Sequence, residues 1–514
     1  MNRLLWLGGA GIVSVAACSV RPVHPAAEAA PVAAPTVVRD TAAAAGTAQV
    51  AVPMTVDPAV VRAMVAEGTQ RSRVAADLEY LSDVIGPRLT GSAALRTANE
   101  WTQHQFKAYG VDSSWTEEWT FGRGWERGPL VLELIAPHRQ ELTGESWAWA
   151  PGTNGPVTGN VALVTATSAA EWRRYQGTLR GAWVMTRAPV PLRNPDGPPI
   201  STADSVRADS TLRAALTLTD AQRKFRAQLP ALLAQEGAAG VLTDGAKDFA
   251  LLTMSGSPRQ LYPLANIVIP HETYSMFARL VGAGIVVTLR ADITNTLTSD
   301  TLAAYNTVAE IRGREHPDQV VLLGAHLDSW DLASGTTDNG AGAIAVLEAA
   351  RILAAAKVHP ARTIRFVLFT GEEEGLLGSQ AYVEDHVSEL AKFQAVLVLD
   401  NGTGRIKGMA LQGRDDLHAM WDSLFVPVAA LGPLAIRSAN KGGTDHLSFL
   451  PFGVPGFNYD QETRGYNHTH HSQVDTYDHA LPADIAQAAT VMAINAYELA
   501  NAGILLPRGE ATTQ

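Results

Sequence analysis

The stretch VVLLGAHLDSWDLASGTTDNGAGAIAVLEAARIL at residues 320–353 decides the fold, read together with TIRFVLFTGEEEGLLGS at 363–379 and AVLVLD at 395–400. Each opens with apolar residues, mostly Val, Leu, Ile and Phe, and then turns to acid or imidazole. The groups delivered are His326 and Asp328, then Glu372 and Glu373, then Asp400. A short apolar run bounded by turn residues reads as a strand buried on both faces. In open α/β sheets, chemistry gathers just beyond the carboxyl ends of such strands. Three strand ends therefore bring five metal-ligating or acid–base groups to one sheet edge. Asp338 adds a sixth from the loop before the next helix.

Working outward, Gly340–Lys357 carries Ala, Ile, Val and Leu at helical core spacing, and Asp415–Leu424 and Asp484–Ala500 read as further helices. Residues 295–505 are thus one α/β unit. Upstream, Leu78, Leu81, Val84 and Ile85 recur at helical spacing until Gly86-Pro87 stops them, and Thr90-Gly91-Ser92 opens a second amphipathic helix. Residues 57–125 are expected to be the first part of the same domain. Between them, 126–294 has another texture: short β-type runs at 157–164 and 181–186, a Pro/Asp-rich loop at Arg193–Ser201, and a helix–turn–strand unit at 229–245. It reads as an inserted, mostly β domain, because so long a stretch of surface loop would be unusual. The expected class is α/β, with a mixed, mostly parallel sheet flanked by helices, and residues 506–514 form a tail.

At 514 residues the chain is too long for one ordinary core, and 46% hydrophobic with 18% charged residues is a globular composition. A net charge of −11 without a basic stripe argues against nucleic acid as a partner. The single cysteine, Cys18, excludes an internal disulfide framework. A positive start at Met1–Arg3, an apolar run at Leu4–Ala17 and the tetrapeptide Val15-Ala16-Ala17-Cys18 resemble a bacterial lipoprotein signal over 1–18. The competing reading is an ordinary secretory peptide cut after Ala17. Residues 19–56, rich in Ala and Pro, read as a tether. The chain is expected on the periplasmic side of the cell envelope, touching membrane only through a lipid at Cys18. Ser19 in place of aspartate points to the outer membrane.

Two adjacent divalent ions need imidazole and carboxylate ligands, and one carboxylate bridging both is the economical arrangement. The chain offers His326, Asp338, Glu373 and Asp400, a late cluster of His468, His470 and His471, and Glu372 left over as a base. His326-Leu-Asp328-Ser-Trp330, Asp338-Asn-Gly-Ala-Gly, Glu372-Glu373-Glu374-Gly, Leu399-Asp400 and His471-Ser-Gln-Val-Asp475-Thr476 resemble the motifs of the co-catalytic di-zinc exopeptidases. That family groups bacterial leucyl aminopeptidases, carboxypeptidase Q and glutamate carboxypeptidases.

The resemblance implies two Zn²⁺, with Mn²⁺ or Co²⁺ as other occupants of the same ligands. Asp338 would bridge them, His326 and Asp400 would complete one site, and Glu373 and His471 the other, with His470 the alternative to His471. Glu372 would be the general base. Asp328 would fix the His326 tautomer, and Asp475 would stand beside His471. The resemblance further implies that the insert, with Gly237-Ala-Ala-Gly240-Val241, is a protease-associated domain, that Asp445 and His446 lie near the site, and that a homodimer can form. Glu374 is expected to face solvent or cap a helix. The implied activity is hydrolysis of short peptides at a free N-terminus. A carboxypeptidase Q-like dipeptidase, a glutaminyl cyclase and a non-catalytic receptor are the rival readings.

Overall fold

The computed structural model describes residues 49–50, 56–190, 192, 218–259, 261–432 and 434–509. The signal-like segment with Cys18, nearly all of the tether and the Arg193–Ser201 loop lie outside the described residues. Among the described residues no helix is long and apolar enough to cross a membrane.

The three decisive runs become the strands His316–His326, Arg362–Phe369 and Phe393–Val398, which lie side by side and parallel. They sit in the middle of an eight-stranded mixed sheet. Ser113–Glu126 and Thr296–Ile311 extend it antiparallel on one side; Gly456–Gln461, Ile406–Ala410 and Ala435–Arg437 extend it on the other. Alternation along the central strand explains its unbroken apolar sequence. Val321, Leu323 and Ala325 join one core cluster, while Val320 and Leu322 join another on the opposite face. The first face is covered by the helices Ala341–Ala355 and Pro482–Ala500. Leu347, Ile352, Val491 and Ile494 are fully buried there, each worth about 1.5–3 kcal/mol relative to exposure.

The N-terminal helices complete this layer. Pro58–Gln70 starts at Asp57, whose carboxylate accepts from the Ala59 amide at 2.8 Å, with Pro58 in the first turn. It crosses Pro482–Ala500 so closely at Gly68 that a Cβ there would lie 1.9 Å from Thr490 Oγ1. Ala93–Tyr109 is capped by Ser92 and ends at Gly110 in the left-handed region, φ 89°.

Residues 130–293 supply a second eight-stranded mixed sheet with its own core around Trp183, Ile267 and Leu289. Its middle strands, Val157–Leu163, Trp183–Met185, Gly240–Asp244 and Ala265–Ile269, run parallel, and the helices Asp220–Gln235 and His271–Gly282 pack on it. A bidentate pair ties the two bodies: Arg127 donates from Nε and Nη2 to the Asp331 carboxylate at 2.8 and 2.7 Å.

One buried acid far from the strand ends has a pH consequence. Glu498, 2% exposed, is pushed up to about 8 by burial, partly offset by its hydrogen bond with Asn495. An acid with its folded pKa above its unfolded value keeps its proton in the native state, so stability is lost as pH rises from 4.5 toward 8. Glu498→Gln should match the parent near pH 5 and exceed it on the order of 2–4 kcal/mol near pH 9. Urea midpoints at both pH values check this; equal midpoints at pH 9 would contradict it.

Candidate metal centre

The carboxyl ends of the parallel strands converge on a pocket of about 500 Å³ lined by Asp338, Glu372, Glu373, Asp400, Tyr466 and His471, among others. His326 ends the central strand, and its Nε2 lies 3.4 Å from Asp338 Oδ1 and 3.5 Å from Asp400 Oδ1. On the other side of Asp338, Oδ2 stands 3.5 Å from His471 Nε2 and 3.7 Å from His470 Nε2. His471 Nε2 is also 2.9 Å from Glu373 Oε2. Two donor sets result, His326–Asp338–Asp400 and Asp338–His470–His471, each with its ligand atoms within 4.8 Å of one another. Asp338 belongs to both.

The donor set fits divalent ions. Asp338 Oδ2 and Glu373 Oε1 are buried without a hydrogen-bond partner, as is Asp328 Oδ1. Orphaned buried carboxylate oxygens are expensive unless a cation takes them. Burial first, then the neighbouring acids, raises Glu373 well above the carboxylate range. Burial does the same to Glu372, aided by Asp400 and Asp445. His326 is raised as well, for a different reason: burial disfavours its cation, but Asp400 and Glu372 outweigh that and hold its pKa well up. Burial pushes Asp338 up, and the bond from His326 with the charges of His471 and His470 brings it below the usual range. Crowded acids and imidazoles that need one another's charge describe a cation site.

The supporting residues differ in part from expectation. Asp328 presents its backbone carbonyl to His326 Nδ1 at 3.1 Å, with the carboxylate Oδ1 at 3.5 Å. Its Oδ2 accepts from the Glu373 amide and Thr90 Oγ1, both at 3.2 Å. One acid thus registers two of the strand ends. Asp475 grips the Asp338 loop from below, accepting from the Thr337 and Asp338 amides at 2.6 and 3.1 Å. This is where its carboxylate is used, instead of beside His471. Glu374 does not face solvent. It is 7% exposed, and burial raises its pKa, because the turn after Thr370 folds it inward toward Asp328. Asp445 and His446 are fully buried behind the pocket; burial pushes Asp445 up to about 7 and His446 down to about 4.

Asp475→Ala should weaken metal retention about 10–100-fold, the usual cost of losing a group that orients a ligand. Competition with a chelator followed by metal analysis measures it. Retention equal to the parent would show that the loop holds its shape unaided.

Two features escaped the sequence reading. Arg88, fully buried, donates to four backbone carbonyls: Leu327 at 2.6 Å, Gly86 at 3.1 Å, and Ser334 and Gly335 at 2.7 Å each. It pins the loop running from Asp328 to Asp338. Burial lowers its pKa to about 10, and the charges of Asp475, Asp328, Asp338 and Glu373 oppose that shift.

The second feature is a clamp from the insert. The Met254 amide donates to the His471 carbonyl at 2.8 Å, the Leu252 amide to Gln473 Oε1 at 2.9 Å, and Lys247 Nζ to the His470 carbonyl. His471 sits at φ 58°, a conformation side-chain-bearing residues adopt only when held. Trp149 of the insert stands edge-on to Trp330, which stands edge-on to His471.

The site's geometry agrees with what the chain is similar to. Residues 306–496 match Peptidase family M28. Carboxypeptidase Q of Mus musculus is 28% identical over 450 residues, 86% of this chain and 88% of that protein. Aminopeptidase YwaD of Bacillus subtilis is 32% identical over 195 residues, 36% of this chain and 42% of that protein. Among solved structures, a peptidase M28 precursor from Shewanella amazonensis superposes with a TM-score of 0.71 at 25% identity, covering 88% of this chain and 98% of its own. The segment that builds the pocket is therefore the one that matches peptidase family M28, and the chain is a zinc metallo-exopeptidase.

Proposed function

We propose that the chain is an exported di-zinc exopeptidase that removes residues from the free N-terminus of short peptides. The observation that carries this is Asp338, whose two carboxylate oxygens face separate donor sets in the pocket that Glu372 also lines. His326 and Asp400 would hold one ion with Asp338, and Glu373 and His471 the other. His471 is preferred to His470 because its Nε2 also meets Glu373, and because His470 is the more exposed of the two, 44% against 22%. When bound, the two ions supply an acidified water and charge stabilisation for the scissile carbonyl oxygen.

The rest is the work of the protein's own side chains. Glu372 takes the proton of the attacking water and returns it to the amide nitrogen as the C–N bond breaks. Burial, which raises its pKa, suits a group that must hold that proton between the two steps. Asp328, Asp475 and Arg88 keep the ligand loops in register, and the Met254 clamp holds the imidazole pair. A pocket of about 500 Å³ suits a few residues of peptide. The segment ending at Cys18 supports export and a lipid anchor on the periplasmic side.

A dipeptidase reading has one observation in its favour. In sequence, the likeness to carboxypeptidase Q covers 86% of the chain, whereas that to the aminopeptidase covers 36%. A free dipeptide, its N-acetylated twin and a longer peptide with both ends free separate the two. Stepwise loss from the N-terminus of the longer peptide, with the acetylated twin refused, supports the aminopeptidase. Cleavage of the free dipeptide alone supports the dipeptidase. No hydrolysis by the zinc-loaded protein would overturn both.

A further inference from the structure

Behind the Gly442–His446 loop lies a second pocket of about 460 Å³, lined by Gln412, Arg414, Asp416, Asn440 and Arg508 among others. Its two guanidinium groups are unequally served. Arg414 donates from Nε and Nη2 to Asp416, both at 2.8 Å, and from Nη2 to the Pro507 carbonyl at 2.9 Å. Its Nη1 is buried and has no acceptor among the described residues. Arg508 is worse off, with Nη1 and Nη2 both buried and neither finding an acceptor there. Burial and the neighbouring Arg414 cation together depress the Arg508 pKa, with no carboxylate among the charges acting on it.

Guanidinium does not escape this by losing its proton, because it stays charged in proteins. Among the described residues that line the pocket, two guanidinium cations face the single carboxylate of Asp416, which leaves one positive charge uncompensated. Three buried N–H-bearing nitrogens, on two side chains that line the cavity, then have nothing to donate to among the described residues. Buried donors of that kind are costly and are ordinarily met by ordered water or an ion. A guanidinium fork is the geometry that planar carboxylates and tetrahedral phosphates prefer. We infer that this pocket is a binding site for a small oxyanion of the carboxylate or phosphate class, separate from the metal centre. Gln412 joins the two regions: its Nε2 lies 2.6 Å from the Lys441 carbonyl and 2.7 Å from His446 Nε2. Gly442 and Gly443, next in the chain, line the catalytic pocket.

The test is thermal unfolding of the zinc-loaded, full-length protein, titrated with sodium phosphate and, separately, sodium acetate at constant ionic strength set by chloride. A saturable rise in midpoint is expected with at least one anion. In Arg508→Gln the apparent dissociation constant for that anion should rise about tenfold or more, the loss of roughly one charge-assisted pair. Arg508→Lys, which keeps the charge but loses the fork, should fall between the two and serves if the glutamine variant does not fold. A response to phosphate alone assigns the inorganic class, a response to acetate alone assigns carboxylates, and a response to both assigns the shared chemistry. An equal rise in parent and variants would place the anion at the metals and overturn the inference. No rise with either anion would leave the pocket to water and overturn it too.

Discussion

Glu372→Gln is expected to lower kcat by about 10³-fold while the protein keeps its full complement of metal, because a positioned general base contributes about 10²–10⁴. The substitution preserves volume and hydrogen-bonding shape but removes the ability to take a proton. Glu373 meets His471 Nε2 at 2.9 Å, whereas Glu372 faces the pocket with no ion pair to any of the imidazoles among the described residues. Metal content should therefore be unchanged, and KM should move far less than kcat. Steady-state kinetics beside metal analysis of the same sample measure both. A variant with near-normal turnover would remove Glu372 from the mechanism. One that lost metal and activity together would make it a ligand.

Asp338→Asn should do the opposite and lose metal first. Its two oxygens serve different donor sets, with Oδ1 near His326 and Oδ2 near His471 and His470. An amide keeps one acceptor oxygen and turns the other position into a donor aimed at a cation or an imidazole. Removing the negative charge also leaves acids around it that depend on cations for balance. The expected result is less than one retained ion per chain and a loss of activity of at least about 10³-fold. Excess zinc should recover only a small part of it. Two tightly held ions in this variant would mean that each set closes without a bridge.

The catalytic core could be read from the chain because the relevant signals are local. A strand buried on both faces must be continuously apolar, so 320–326, 364–369 and 395–399 announce themselves, and the residues that follow are on display. What places the ligands is not local. The carbonyls that Arg88 holds lie mostly in a loop over two hundred residues downstream, and Met254 and Lys247 reach the His470–His471 segment from the insert. Nothing in GPRLTG or in the loop around Met254 carries a period or composition that would reveal such a partner. Glu374 shows the limit most clearly. The last of three consecutive glutamates reads as a solvated or capping residue, yet it is 7% exposed and its pKa is raised by its burial beside Asp328 and Glu373. The spacing of Asp475 from His471 places it beside that imidazole, whereas its carboxylate accepts from the Thr337 and Asp338 amides of a loop far off in sequence.

The di-zinc proposal rests on one carboxylate, Asp338, holding two ions. Anomalous difference maps from crystals of the zinc-loaded protein, recorded at the zinc edge, test it most directly. Two peaks are expected about 3.5–4 Å apart, one beside His326 and Asp400 and the other beside Glu373 and His471, with Asp338 about 2.0–2.2 Å from each. A single peak, or two peaks that do not share Asp338, would contradict it.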